Sequence, residues 1–165
     1  MKHRRFTMPL LALAVFGLGL TAGVVAGQPA RPVATPVASG ALPESAHAVI
    51  VRPGATGTVA RVVDVKEVRV VRFELVPGGA FPWHQHPGPV WVVVTKGTLT
   101  FYSAACEAAA YPAGSAFFDP GNLTHTARNE GTEPVEVLAT FMFPADAGPA
   151  ASIPQPPPAT CSIEV

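Results

Sequence analysis

From residue 58 to residue 143 the chain is a series of short, Val-rich runs, each stopped by glycine or proline before a helix could complete. Residues 58–63 and 68–76 set Arg69, Arg72 and Glu74 against Val68, Val70, Val71, Phe73 and Leu75, as strands with one buried face do. Pro77-Gly78-Gly79 and Pro87-Gly88-Pro89 turn the chain, and the run at 90–94 between further turns is apolar on both faces, which predicts a central strand. Lys96-Gly97 reads as a hairpin turn. Beyond it, strands at 98–102, 115–118, 124–129 and 135–143 are separated by turns at 111–114, Pro120-Gly121-Asn122 and Glu130-Gly131. About eight short strands and no helix imply an all-β sandwich or barrel.

The ends of the chain lack this pattern. Lys2, Arg4 and Arg5 precede an apolar run at 10–20, and small residues follow at Val24-Val25-Ala26. This predicts a signal peptide over 1–26 (the alternative is an uncleaved anchor), with no stable membrane span after processing and a secreted, periplasmic or cell-envelope location. Residues 27–47, rich in Pro, Ala, Val and Ser, read as a flexible linker, residues 48–145 as the β-barrel, and residues 146–165 as a Pro-rich tail. Formal charge is +0 over the whole chain. Removing the basic leader leaves roughly −3, and with no basic stripe nucleic acid is a poor partner. The two cysteines, Cys106 and Cys161, predict in an exported protein a disulfide that pins the tail to the barrel; the alternative is two unpaired thiols.

Chemistry concentrates at Trp83-His84-Gln85-His86. Side chains alternate along a strand, so His84 and His86 share one face and make half a metal site, while Gln85 points away. The other half is His125, behind the Asp119-Pro120-Gly121-Asn122 turn. Trp83, Phe81, Val90, Val92 and Tyr102 are candidates for an apolar pocket beside it, although Val90 and Val92 read equally as plain barrel core. Glu74 and Tyr102 are the nearest candidates in residue type for an acid, base or fourth ligand; His47 and His3 are given no role. No Ser-His-Asp arrangement or phosphate loop is present.

Residues 78–97 resemble the first cupin motif, G(X)5HXH(X)3–4E(X)6G, with Gly78, His84, His86 and Gly97 on its positions and Val90 where the glutamate belongs. Residues 114–129 resemble the second, G(X)5PXG(X)2H(X)3N, through Gly114, Pro120, His125 and Asn129. Asn122 stands at its second glycine, and Asn tolerates the positive φ of a turn. The resemblance implies a single cupin jelly-roll barrel that holds one divalent transition metal (Fe, Cu, Mn, Ni or Zn) through His84, His86 and His125. Losing the glutamate implies a shift from hard cations toward Zn, Cu, Fe or Ni. It implies further a small-molecule ligand or substrate, a homodimer, a structural role for Asn129, and, if the chain is an enzyme, a dioxygenase-like oxidoreductase. Thiol dioxygenases are cupins that similarly lack that glutamate. The alternative is a non-catalytic barrel that binds metal or a small ligand.

Overall fold

The computed structural model describes residues 28–54, 57–148 and 150–165, and all the helix-or-strand structure among them is strand. In chain order the strands are β1 (Val33–Gly54), β2 (Gly57–Leu75), β3 (His84–Gln85), β4 (Val90–Lys96), β5 (Thr98–Ser103), β6 (Ala108–Pro112), β7 (Ala116–Asp119), β8 (His125–Arg128), β9 (Val135–Pro144) and β10 (Ile153–Pro154). They form two five-stranded antiparallel sheets, ordered β1-β2-β9-β4-β7 and β10-β3-β8-β5-β6. The architecture is the all-β jelly-roll that the motifs imply.

Alternation decides which residues meet between the sheets. β9 buries Val135, Val137, Ala139, Phe141 and Phe143, and β4 buries Val90, Val92 and Val94. With Leu75, Leu99 and Ala127 these make the main core. β4 is central in its bonding, paired to β9 on one side and β7 on the other. Its second apolar face is not covered, however. Trp91 remains 48% exposed and stacks on Phe118, with ring centroids 4.6 Å apart.

The linker reading of residues 27–47 and the start of the barrel at 48 require correction. Val33 begins β1, which pairs with β2 from Val33↔Glu74 to Gly54↔Gly57. Proline survives here because β1 is an edge strand, bonded to β2 alone. The two register shifts, Pro36/Ala38 and Ala41/Ala46, fall at Pro36 and around Pro43, where a missing N–H breaks no ladder. His47 bonds Asp64 on the same ribbon (Nδ1–Oδ1 2.5 Å), both side chains exposed. The tail is likewise not free: Ile153 and Pro154 pair with Gln85 and His84 on β3. The signal-peptide reading of 1–26 lies outside the described residues.

The turns that frame the histidines are fixed by few residues. Asn122 takes φ 44°, the left-handed conformation expected of it at the glycine position. Gly121 takes φ 73°, and a Cβ there would lie 2.5 Å from the Gly88 carbonyl oxygen, so the two motif turns meet backbone to backbone. Asn129 is fully buried; its Nδ2 donates to the carbonyls of Leu75 (3.0 Å) and Glu133 (2.8 Å), and its Oδ1 accepts from the Gly131 N–H. One amide thus ties β2, β8 and the loop before β9. Asn129→Ala is expected to cost about 1–3 kcal/mol, since it strands buried carbonyls and an N–H. Urea unfolding checks this, and a midpoint equal to wild type would rule the tie out.

Candidate metal centre

The three histidines arrive from two short strands and one turn. His84 on β3 lies directly opposite His125 on β8, and His86 follows two residues later on the same face. Ring centroids are 4.3 Å apart for His84–His125, 4.7 Å for His84–His86 and 5.1 Å for His86–His125. All three are buried, and one ring nitrogen of each lies within 4.8 Å of those of the other two.

Backbone carbonyls set which nitrogen that is. Nδ1 of His84 donates to Pro82 O (2.6 Å), Nδ1 of His86 to Ala151 O (2.7 Å), and Nδ1 of His125 to Leu123 O (2.9 Å). A carbonyl only accepts, so each Nδ1 carries the proton and each Nε2 presents a lone pair. This is the outer hydrogen bonding that orients metal-ligating histidine. Three aimed nitrogen donors fit a divalent transition ion.

Burial among aromatic rings keeps the His84 and His86 imidazoles neutral. Desolvation, then the neighbouring His125, lowers the His84 pKa from 6.5 to about 4, against the Pro82 hydrogen bond. Desolvation and then His84 and His125 lower His86 to about 3. Phe101 stacks on His125 with centroids 4.9 Å apart, and Phe141 meets His86 edge-on at 5.3 Å. A fourth group faces them. Asp119, at the end of β7 and 4% exposed, places Oδ2 at 3.2 Å from His125 Nε2 and 3.8 Å from His86 Nε2. His86 is uncharged near neutral pH, so that second approach is no ion pair there.

The cluster lines a cavity of about 530 Å³, large enough for a small organic molecule. Val90 and Val92 line it and are core as well. Among the described residues its polar lining is the three histidines, Asp119, Arg69, Ser39 and Ser152. Arg69 is held by two hydrogen bonds to Glu67 (2.5 and 2.7 Å) and lies over the Phe143 ring.

Trp83 and Tyr102, expected in this pocket, are elsewhere. Trp83 neighbours His84 and Tyr102 neighbours Phe101, so alternation sends both to the opposite face. There they pack with Cys161, Cys106, Ile163 and Val165. Tyr102 donates to Glu130 (2.5 Å), which raises its pKa and removes it as an acid at the cavity. Glu74 is exposed, 3.6 Å from Arg72, and also outside the lining. Gln85 points away from the cluster, as expected, and bonds Thr124 (3.0 Å).

Cys106 and Cys161 form the expected disulfide, with Cα atoms 5.3 Å apart. The sequence reading missed two contributors to the site. Asp119 had its signal in a carboxylate next to Pro120 of the second motif, but its approach depends on the pairing of β4 with β7. The Ala151 carbonyl belongs to the tail, and no side chain announces it.

Residues 71–141 match a family model described as a cupin domain. No curated protein matches the chain. Among solved structures it is similar to a conserved Streptococcus pyogenes protein of unknown function (19% identity, 47% of this chain and 65% of that one, TM-score 0.43). It is also similar to a DMSP lyase from Ruegeria pomeroyi (18%, 67% and 52%, TM-score 0.47) and to an oxalate oxidase in complex with the substrate analogue glycolate (26%, 46% and 42%, TM-score 0.41). The chain spans between 42% and 65% of the length of these three.

Proposed function

We infer, from the premise that the β domain of this chain is a cupin domain, that His84, His86 and His125 hold one divalent transition metal and that the protein is an exported metal-dependent cupin acting on a small organic molecule. The observation that carries this reading is the fixed tautomer of all three rings. Three lone pairs converge beside an apolar cavity, and each is held there by a backbone carbonyl rather than by chance packing. Export is supported by the disulfide, which persists in oxidising compartments.

The reaction class that suits the site is a dioxygenase-like oxidation, in which both oxygen atoms enter the organic product and no outside reductant is needed. The ion, when bound, supplies Lewis acidity and electron exchange. The protein supplies the rest. Phe81, Phe101 and Phe141 exclude water and pack the organic part of a substrate, the carbonyls of Pro82, Leu123 and Ala151 keep the imidazoles in register, and Arg69 brings a cation to the cavity lining.

Elemental analysis of protein purified from its native compartment tests the reading. The expected result is near-stoichiometric Fe, Cu, Mn or Ni that is lost in His84→Ala, followed by oxygen uptake with small organic substrates. Zinc in place of a redox metal would turn the reading toward a binding or hydrolytic barrel. No metal in the wild-type protein would overturn it.

A further inference from the structure

The first motif has valine where its carboxylate belongs, yet a carboxylate is present. We propose that Asp119 takes over the place left vacant by Val90 and is the fourth protein ligand of the ion held by His84, His86 and His125, a proposal that rests on the metal-binding reading above.

The strand register supplies the geometry. Val90 on β4 and Asp119 on β7 are directly opposed partners, both with buried side chains. Opposed residues hold their Cβ atoms about 4.5–5.5 Å apart on one face of a sheet. A carboxylate at 119 therefore enters much the same volume as one at 90. Asp119 Oδ1 is fixed by the Gly121 N–H (2.7 Å), and this points Oδ2 at the histidines.

The contact itself asks for a cation. His125 donates a hydrogen bond from Nδ1 to the Leu123 carbonyl, and its Nε2 lies 3.2 Å from Asp119 Oδ2. A lone pair and a carboxylate oxygen at that distance repel unless they share a positive centre. A proton satisfies two of these groups, whereas a divalent ion held by the three histidine nitrogens, which lie within 4.8 Å of one another, would draw in Asp119 Oδ2 from its place beside His125 and His86. The valine at 90 is consistent with this division. With the carboxylate delivered from β7, position 90 is released to the core, where Val90 is 1% exposed. The oxygen ligand also restores the negative charge that a three-histidine site lacks, moving its preference back toward Mn- and Fe-like ions.

Chelator-competition titrations with Mn(II), Co(II) and Zn(II) test the proposal on wild type, Asp119→Asn and His84→Ala. The Asn variant keeps the oxygen that accepts from Gly121, and urea unfolding in EDTA verifies its fold. Asp119→Asn is expected to weaken binding by at least about 10- to 100-fold, the range seen when even an outer partner of a ligand is lost. The loss should be larger for Mn(II) than for Zn(II), and the ligand-field spectrum of bound Co(II) should shift. Adding Val90→Glu to Asp119→Asn returns a carboxylate across the strand pair and is expected to recover Mn(II) affinity. Wild-type affinities and an unchanged Co(II) spectrum in Asp119→Asn, with metal lost in His84→Ala, overturn the fourth ligand and leave the metal reading standing. A wild-type protein that binds none of the three ions overturns both.

Discussion

Metal-free protein taken from pH 7 to pH 4 should lose on the order of 5 kcal/mol of stability, most of it through two side chains. His84 and His86 hold folded-state pKa values of about 4 and about 3, below the 6.5 of an exposed imidazole, because burial penalises their charged forms. Below pH 6.5 the unfolded chain takes up protons that the folded chain refuses. Stability therefore falls as pH drops through the window from 6.5 to about 4 for His84 and to about 3 for His86. Above pH 6.5 both states hold neutral rings and the effect vanishes. Urea unfolding in EDTA at pH 7, 5.5 and 4 measures it, with a His84→Phe/His86→Leu double variant as the reference. The double variant should keep its stability through this range apart from carboxylate effects common to both proteins. Parallel pH profiles would mean that the rings are not held neutral by burial. Bound metal should flatten the wild-type profile at moderate acidity and then be released steeply, as protons compete for the same lone pairs.

That His84 and His86 would share a face was readable from local spacing, because they need only an extended backbone; that His125 would join them followed from its place in the second motif, since its approach is a pairing of β8 with β3. The turn behind His125 was readable for a similar reason: Asn122 is one of the few non-glycine types suited to its φ of 44°. Position 119 is different. Its meaning depends on β7 lying beside β4 in one register, and no local pattern in either strand states that pairing. β1 was hidden in another way. Its Pro, Ala and Ser composition matches a disordered segment, and it is ordered by hydrogen bonds to β2, with Leu42 packed against Val63 and Val65. Trp83 and Tyr102 could have been excluded from the pocket. Each is adjacent in sequence to a residue that faces the cavity, and period-two alternation sends it to the other side.

Where Trp83 and Tyr102 do sit makes the tail part of the candidate metal centre. Cys161, Ile163 and Val165 cover them, and the Cys106–Cys161 bridge closes a loop of 55 residues. Loop-closure entropy assigns a bridge of that span about 4 kcal/mol. Without it the tail is held by the packing of Ile163 and Val165, the two-residue pairing of Ile153 and Pro154 and the hydrogen bond from Gln155 N to Trp83 O (2.9 Å). Yet Ala151, just upstream, is the carbonyl that fixes the His86 tautomer. Cys161→Ser, or reduction with dithiothreitol, is therefore expected to do three things together. Unfolding free energy should drop by about 4 kcal/mol. Emission from Trp83, buried to 1% exposure, should shift red as the tail lifts, read in a Trp91→Phe background that removes the half-exposed second indole. Metal affinity should weaken by about 10- to 100-fold, the loss that follows when a ligating histidine gives up its orienting partner. Lower stability with unchanged emission and affinity would mean that the tail stays docked without its bridge and that Ala151 holds His86 unaided.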